Sequence, residues 1–148
     1  LYGKMQTLKD FSTGRQLVFA LADFVALSPK AEQQNDIVLV GEIVYKPTYR
    51  ETPRGKRISD IFVKVKNQLT KCSSLIPCIC WNETADEVAN WLPGDTVKLI
   101  GRLRSREYEK LIEELYADGV VAERVTETRT AYEVSVHTIK KEEVKNEC

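Results

Sequence analysis

Histidine is almost missing from this sequence: His137 is the only one among 148 residues. An imidazole-based catalytic centre therefore has a single candidate, and that candidate alternates with Glu133 and Ser135 along the polar side of a strand-like run. Cysteine is scarce as well. Cys72, Cys78, Cys80 and Cys148 are too few for a disulfide scaffold. Cys78-Ile79-Cys80 has no second pair and no nearby histidine to complete a zinc tetrahedron, so these same-side thiols read as core filler. There is no glycine-rich phosphate loop, no Gly-x-Ser-x-Gly elbow and no carboxylate pair with a clear partner. The expectation is a protein without enzymatic activity, metal or cofactor. Long apolar runs are absent too: the longest, residues 17–27, is interrupted by Asp23 and falls short of the ~20 residues of a membrane span. No charged-then-apolar segment opens the chain, which points to a cytoplasmic protein with reduced thiols. It begins on Leu1, directly inside a strand-like pattern, as though sequence preceded it.

Net charge is also missing, since 22 Lys+Arg balance 22 Asp+Glu. The balance conceals segregation. Residues 46–71 hold eight basic side chains against Glu51 and Asp60, and a second basic run of Lys98, Arg102, Arg104, Arg106 and Lys110 meets only Glu107 and Glu109. Residues 82–95 contain no basic residue, and residues 111–128 set five acidic residues against Arg124. Basic and acidic surfaces thus belong to different elements, and a polyanionic partner is compatible with one of them.

What the sequence has is short β-branched runs separated by turn residues: 37–46, 57–66, 75–81, 96–106 and 131–139, which predict five strands. One helix is predicted over 83–92, with Asn82 as its N-cap and Pro93-Gly94 as its stop. The segment 47–56 reads as a reversal around Pro53 and Gly55, and 111–128 as a long loop with a short helix at 111–116. Three strands, a helix and two more strands is the order of a five-stranded Greek-key barrel of the oligonucleotide/oligosaccharide-binding (OB) type, an all-β fold with its helix between strands three and four.

Side chains two apart share a strand face. In 96–106, Val97, Leu99 and Leu103 point one way, and Lys98, Ile100, Arg102, Arg104 and Arg106 the other, with Tyr108 continuing the second row. In 57–66, Ile61, Val63 and Val65 oppose Phe62, Lys64 and Lys66. Aromatic rings among cations suit a single-stranded nucleic acid, whose phosphates need positive charge and whose bases need flat surfaces. Phe62, Trp81 and Tyr108 are the candidate stacking platforms. Lys64, Lys66, Arg102, Arg104 and Arg106 are the candidate phosphate ligands. The competing readings are a solvated charged face, and core packing for Trp81.

The sequence also repeats itself. Leu1-Tyr2-Gly3-Lys4-Met5-Gln6-Thr7 matches Leu99-Ile100-Gly101-Arg102-Leu103-Arg104-Ser105 in type, 98 residues apart, and 15–25 resembles 129–139. Residues 1–35 thus read as a β-hairpin and linker resembling the end of a second OB copy, with an ordinary hairpin as the alternative. Leu17, Phe19, Leu21, Phe24 and Val25 need cover on either reading. The OB domain proper is expected over 36–141, with a polar tail at 142–148.

Several of these runs resemble a known family. Val40-Gly41-Glu42-Ile43, followed by Pro47 and Tyr49-Arg50-Glu51-Thr52-Pro53-Arg54-Gly55, is similar to the first strand and turn of bacterial single-stranded DNA-binding proteins. Ile76-Pro77-Cys78-Ile79-Cys80-Trp81 with Ala85-Asp86-Glu87-Val88-Ala89 resembles that family's third strand and helix, and Gly101-Arg102-Leu103-Arg104-Ser105-Arg106 and Arg129-Thr130-Ala131-Tyr132-Glu133-Val134 its last two strands. The resemblance implies that Trp81 and Tyr108 stack bases and that Arg104 and Arg106 hold phosphate. Tyr49, Arg50, Arg54 and Lys56 would flank the groove from the turn. Leu69 and Leu75 stand where the family often carries aromatics, and Lys140-Lys141-Glu142-Glu143-Val144-Lys145-Asn146-Glu147-Cys148 replaces its acidic, Phe-ended tail.

The expected function is binding of single-stranded DNA in replication, recombination or plasmid transfer, by a homodimer or homotetramer, with RNA as the close alternative. The alternative from another class is an OB module that binds protein in a replication or conjugation assembly, with Leu69 and Leu75 making apolar contact.

Overall fold

The computed structural model describes residues 1–27, 33–67 and 71–142. Its elements are β1 (Tyr2–Lys9), β2 (Gln16–Phe24), β3 (Ile37–Ile43), β4 (Thr48–Glu51), β5 (Arg57–Lys66), β6 (Ser73–Trp81), α1 (Asn82–Val88), β7 (Thr96–Ala117) and β8 (Val120–Lys141). Strands β3 to β8 form one sheet in the order β3-β7-β8-β6-β5-β4. A further β3–β5 pairing, Glu42 opposite Lys64 and Ile43 opposite Val63, curls that sheet into a closed barrel. The fold is all-β and of OB type, with α1 between β6 and β7, as the order of runs predicts.

Inside lie the residues that alternation assigns there. Ile61, Val63, Ile76, Cys78, Cys80, Val97, Leu99 and Val134 belong to one buried cluster, with Ala85, Val88 and Trp91 closing its end. The buried Ser59 hydroxyl donates to the Ala85 carbonyl at 2.7 Å, tying α1 to β5. Cys78 and Cys80 are core filler. Burial pushes the Cys80 thiol up to about 12, with the Asp60 carboxylate a second cause, and pushes Cys78 well above its ordinary value. Both therefore stay protonated in the folded protein and ionise only on unfolding. A raised folded value gives stability that is present below the unfolded thiol's pKa of ~8.5 and is lost as pH rises past it. Iodoacetamide at pH 8 is expected to spare Cys78 and Cys80 until urea unfolds the chain; equal labelling of native and unfolded protein, read by peptide mass, would contradict the burial.

Three expectations need correction. Residues 111–128 are not a loop with a helix: β7 and β8 continue through them as a paired ribbon reaching Ala117 opposite Val120. The helix ends at Val88, not at 92, and Asn82 does not cap it. Trp81 occupies the N-cap position without a side-chain bond, while Asn82, at φ 50°, accepts the Arg57 N–H at 3.4 Å. The stretch 47–56 also contains a strand, because β4 pairs with β5 from Thr48 opposite Asp60 to Glu51 opposite Arg57.

The hairpin β1–β2 forms its own two-stranded sheet. It leans on β6, where Thr7 and Ser74 exchange side chain for backbone: Thr7 N–H donates to Ser74 Oγ, and Leu75 N–H donates to Thr7 Oγ1, both at 3.1 Å. Met5 packs against the barrel core, while Leu17, Phe19, Leu21 and Phe24 remain exposed. Its register repeats that of β7–β8. A bulge falls between Tyr2 and Gly3 in one hairpin and between Ile100 and Gly101 in the other, at the same offset of 98. Of the proposed linker, 28–32 lies outside the described residues, as do Leu69 and tail positions 143–148.

Candidate nucleic-acid interface

The outer face of the barrel is assembled by register. On β7, Arg102 stands opposite Ser135 and Arg104 opposite Glu133 of β8. Ser135 neighbours Ile79 of β6, Ile79 faces Asp60 of β5, and Asp60 faces Thr48 of β4. Five strands thus carry one continuous row from Arg102 to β4. Ile58 and Ile79 on this face are buried yet lie outside the barrel's core cluster, so they form a second, shallow apolar floor beneath the longer side chains.

Trp81 stands at the end of β6, on the same face two residues beyond Ile79, half-buried. Its indole Nε1–H donates to Ser135 Oγ at 3.1 Å, which fixes the ring plane, and the Lys56 ammonium lies 5.8 Å from its centroid. It is neither solvent-free core nor a loose surface ring. Tyr108 lies farther along β7, exposed, with the Arg106 guanidinium 5.7 Å from its centroid. Phe62 is half-buried and set edge-on against Tyr45, centroids 5.6 Å apart, which leaves it less free to stack than Trp81.

The cations divide into two sets. Lys64, Lys66, Arg102 and Arg104 are exposed and make no ion pair among the described residues. Arg50 and Arg106 are tied down: Arg50 Nε meets Asp60 Oδ2 at 2.9 Å, and Arg106 Nε meets Glu133 Oε1 at 3.1 Å. The Asp60 hydrogen bond is the main reason the Arg50 guanidinium is held even more firmly protonated, and the nearby Glu133 charge adds to it. Arg54 occupies the exposed turn between β4 and β5. Tyr49 is the one candidate turned away from this row. It pairs with Ser59 at the opposite parity and donates its hydroxyl to Asp86 of α1 at 3.0 Å. Desolvation and that carboxylate both raise its phenol's pKa.

Reading the strands singly finds the cations but misses Asp60 and Glu133 as their partners, because the pairings that bring those carboxylates to Arg50 and Arg106 depend on cross-strand register. Asp60 does share parity with Phe62 and Lys64, which was the available signal. Leu75 is half-buried on β6 rather than an open apolar knob. Beyond Tyr108 the β7–β8 ribbon changes character: residues 109–128 carry six acidic side chains against Lys110 and Arg124. Among the described residues, no group of three or more His, Cys, Asp or Glu is placed to hold a metal ion.

A face of this composition on an OB barrel can be compared with known proteins. The profile of the single-strand binding protein family matches residues 34–141. The chain belongs to that family. Among its relatives, single-stranded DNA-binding protein A of Bacillus subtilis is 35% identical over 81 residues, covering 51% of this chain and 47% of that protein. The single-stranded DNA-binding protein of Enterococcus faecalis is 29% identical over 108 residues, 67% of this chain and 57% of the other. The chain thus spans about half the length of the curated relatives it matches. In fold it resembles a deletion mutant of the single-stranded DNA binding protein from Thermus aquaticus, with TM-score 0.72 at 19% identity, over 98% of this chain and 61% of that one. As a single-strand binding family member, the chain has its family match on the barrel, with the N-terminal hairpin β1–β2 wholly outside the matched residues.

Proposed function

We propose that this chain binds single-stranded DNA without catalysis, in replication, recombination or plasmid transfer. The observation that carries the reading is the anchored, half-exposed Trp81 at the end of β6, a strand flanked on one side by β5 with the unneutralised Lys64 and Lys66 and on the other by β8 and β7 with Arg102 and Arg104. A strand laid across this row can stack a base on the indole while its phosphates meet cations on either side. The relatives' names, single-stranded DNA-binding protein, agree with that chemistry. The path turns aside at Tyr108, because the acidic ribbon beyond repels phosphate. RNA would satisfy the same stacking and charge, and DNA is preferred here on family grounds.

The domain assignment follows the same reasoning: 36–141 is the binding unit, and residues 1–27 are the closing hairpin of a second OB unit. The matched bulges support this, as do the matched close approaches. A Cβ on Gly3 would lie 2.1 Å from the Leu21 carbonyl oxygen, and one on Gly101 2.3 Å from that of Ser135, which is Leu21 shifted by the repeat offset of the final strand. We assign the protein to the cytoplasm as a homodimer or homotetramer.

The test is a titration of tryptophan fluorescence with poly-dT at several salt concentrations. Four phosphate contacts predict a log–log salt slope of about −3, a weakening of roughly 50-fold between 50 and 200 mM. Replacing Arg104 and Tyr108 together by alanine should weaken binding and flatten that slope. No quenching at low salt would overturn the reading and leave the face to a protein partner.

A further inference from the structure

Resting on this DNA-binding reading, we propose that Glu133 and Asp60 are built-in competitors for phosphate: each occupies the arginine that a DNA phosphate would otherwise take, and binding exchanges one for the other. Carboxylates in the middle of a face meant for a polyanion are a cost unless they do something there. Here both sit on the outer face itself, Glu133 opposite Arg104 and Asp60 opposite Ile79. Neither faces open solvent as a stray charge. The Glu133 side chain is only 12% exposed and holds Arg106, while Asp60 holds Arg50.

The geometry gives the exchange a mechanism. Each carboxylate meets its guanidinium through Nε alone, leaving the terminal nitrogens as further donors. An arriving phosphate can therefore bond the free edge of Arg106 or Arg50 before the carboxylate lets go. The reverse step gives the departing phosphate a replacement at every stage, so the arginine is never left bare. A face made this way binds more weakly than its cation count suggests and releases the strand faster. Arg102, Arg104, Lys64 and Lys66 supply the standing attraction; Arg50 and Arg106 are held in reserve by their carboxylates.

Glu133→Gln and Asp60→Asn keep the shape and remove the charge. Each is expected to raise affinity for poly-dT about threefold or more at low salt and to steepen the log–log slope by about 0.7, one additional phosphate contact on a single strand. Stopped-flow dissociation should slow correspondingly. The decisive arm is Glu133→Gln in an Arg106→Ala background, where the gain should vanish because the arginine it would release is gone. Unchanged slope and dissociation rate in both single variants, or a gain that survives without Arg106, would overturn the proposal. Thermal melts separate binding from folding, and the two carboxylates lie on different strands, so damage to one variant leaves the other as the test. If the unmodified protein shows no salt-dependent binding at all, the DNA-binding reading fails first. If it binds and the variants follow its slope, only the competitor role fails.

Discussion

Replacing Trp81 by alanine is expected to weaken poly-dT binding by roughly 5- to 150-fold, the loss that follows when one base loses its aromatic platform. The size of the effect depends on how the indole is held. A ring free to rotate must be ordered when a base arrives, whereas the Nε1–H bond to Ser135 and the Lys56 ammonium already restrict this one. Trp81→Phe keeps a flat ring but loses the anchor to Ser135, so it should fall between the wild type and the alanine variant. The spectroscopic prediction is sharper. The chain has two tryptophans, and Trp91 is buried in the core cluster at 8% exposure, with the Lys141 ammonium 5.4 Å from its centroid. DNA-induced quenching should therefore persist in Trp91→Phe and disappear in Trp81→Phe. Quenching that tracks Trp91 would mean that the strand binds at the helix end of the barrel and that the row across β4 to β7 is not the interface.

The strip of cations on β7 was readable without a structure because a strand has period two and this one keeps strict alternation from Val97 to Arg106. Its continuation was not readable for a physical reason. The ribbon has bulges between Leu111 and Glu113 and between Leu115 and Tyr116, and each bulge shifts which residues share a face. Runs such as Leu111-Ile112 and Glu113-Glu114 therefore show no period, and an aperiodic acidic stretch reads as loop. One local signal was present: Asp118-Gly119 between apolar neighbours is a two-residue hairpin turn, and both residues do adopt positive φ, 53° and 77°. The extent of the helix went astray at both ends. Asn82 looks like an N-cap by composition, but its backbone is left-handed and its side chain is spent on β5, while the chain turns away after Val88 toward Trp91. The site was legible as a list of residues and not as a circuit. Which arginines are free and which are held depends on contacts across strands, such as Arg106 with Glu133, that sequence spacing alone cannot supply. The displaced Tyr49 makes the same point, since β4's register sends it to α1 rather than to the groove.

Substituting Gly41 or Gly101 by valine is expected to cost more than about 3 kcal/mol and, at Gly41, to open the barrel. A Cβ on Gly41 would stand 2.2 Å from the carbonyl oxygen of Lys64, and one on Gly101 2.3 Å from that of Ser135. Both obstacles are backbone atoms, so no rotamer change relieves the clash and a strand must move. At Gly41 the strand that moves is β3 against β5, where only Glu42 with Lys64 and Ile43 with Val63 are paired. Losing so short a closure would expose two sheet edges, one on β3 and one on β5. At Gly101 the displaced element is β8 at Ser135, the residue that anchors Trp81, so this variant should lose DNA binding even where enough fold survives to measure it. Urea unfolding is the check: a midpoint lowered with an unchanged m-value would report lost stability, and a reduced m-value at Gly41 would report a barrel already partly open. Gly41→Ala carries the argument to its limit, because a single methyl makes the whole contact. A midpoint unchanged by that methyl would mean that the close approach of β3 to β5 does not hold the barrel shut.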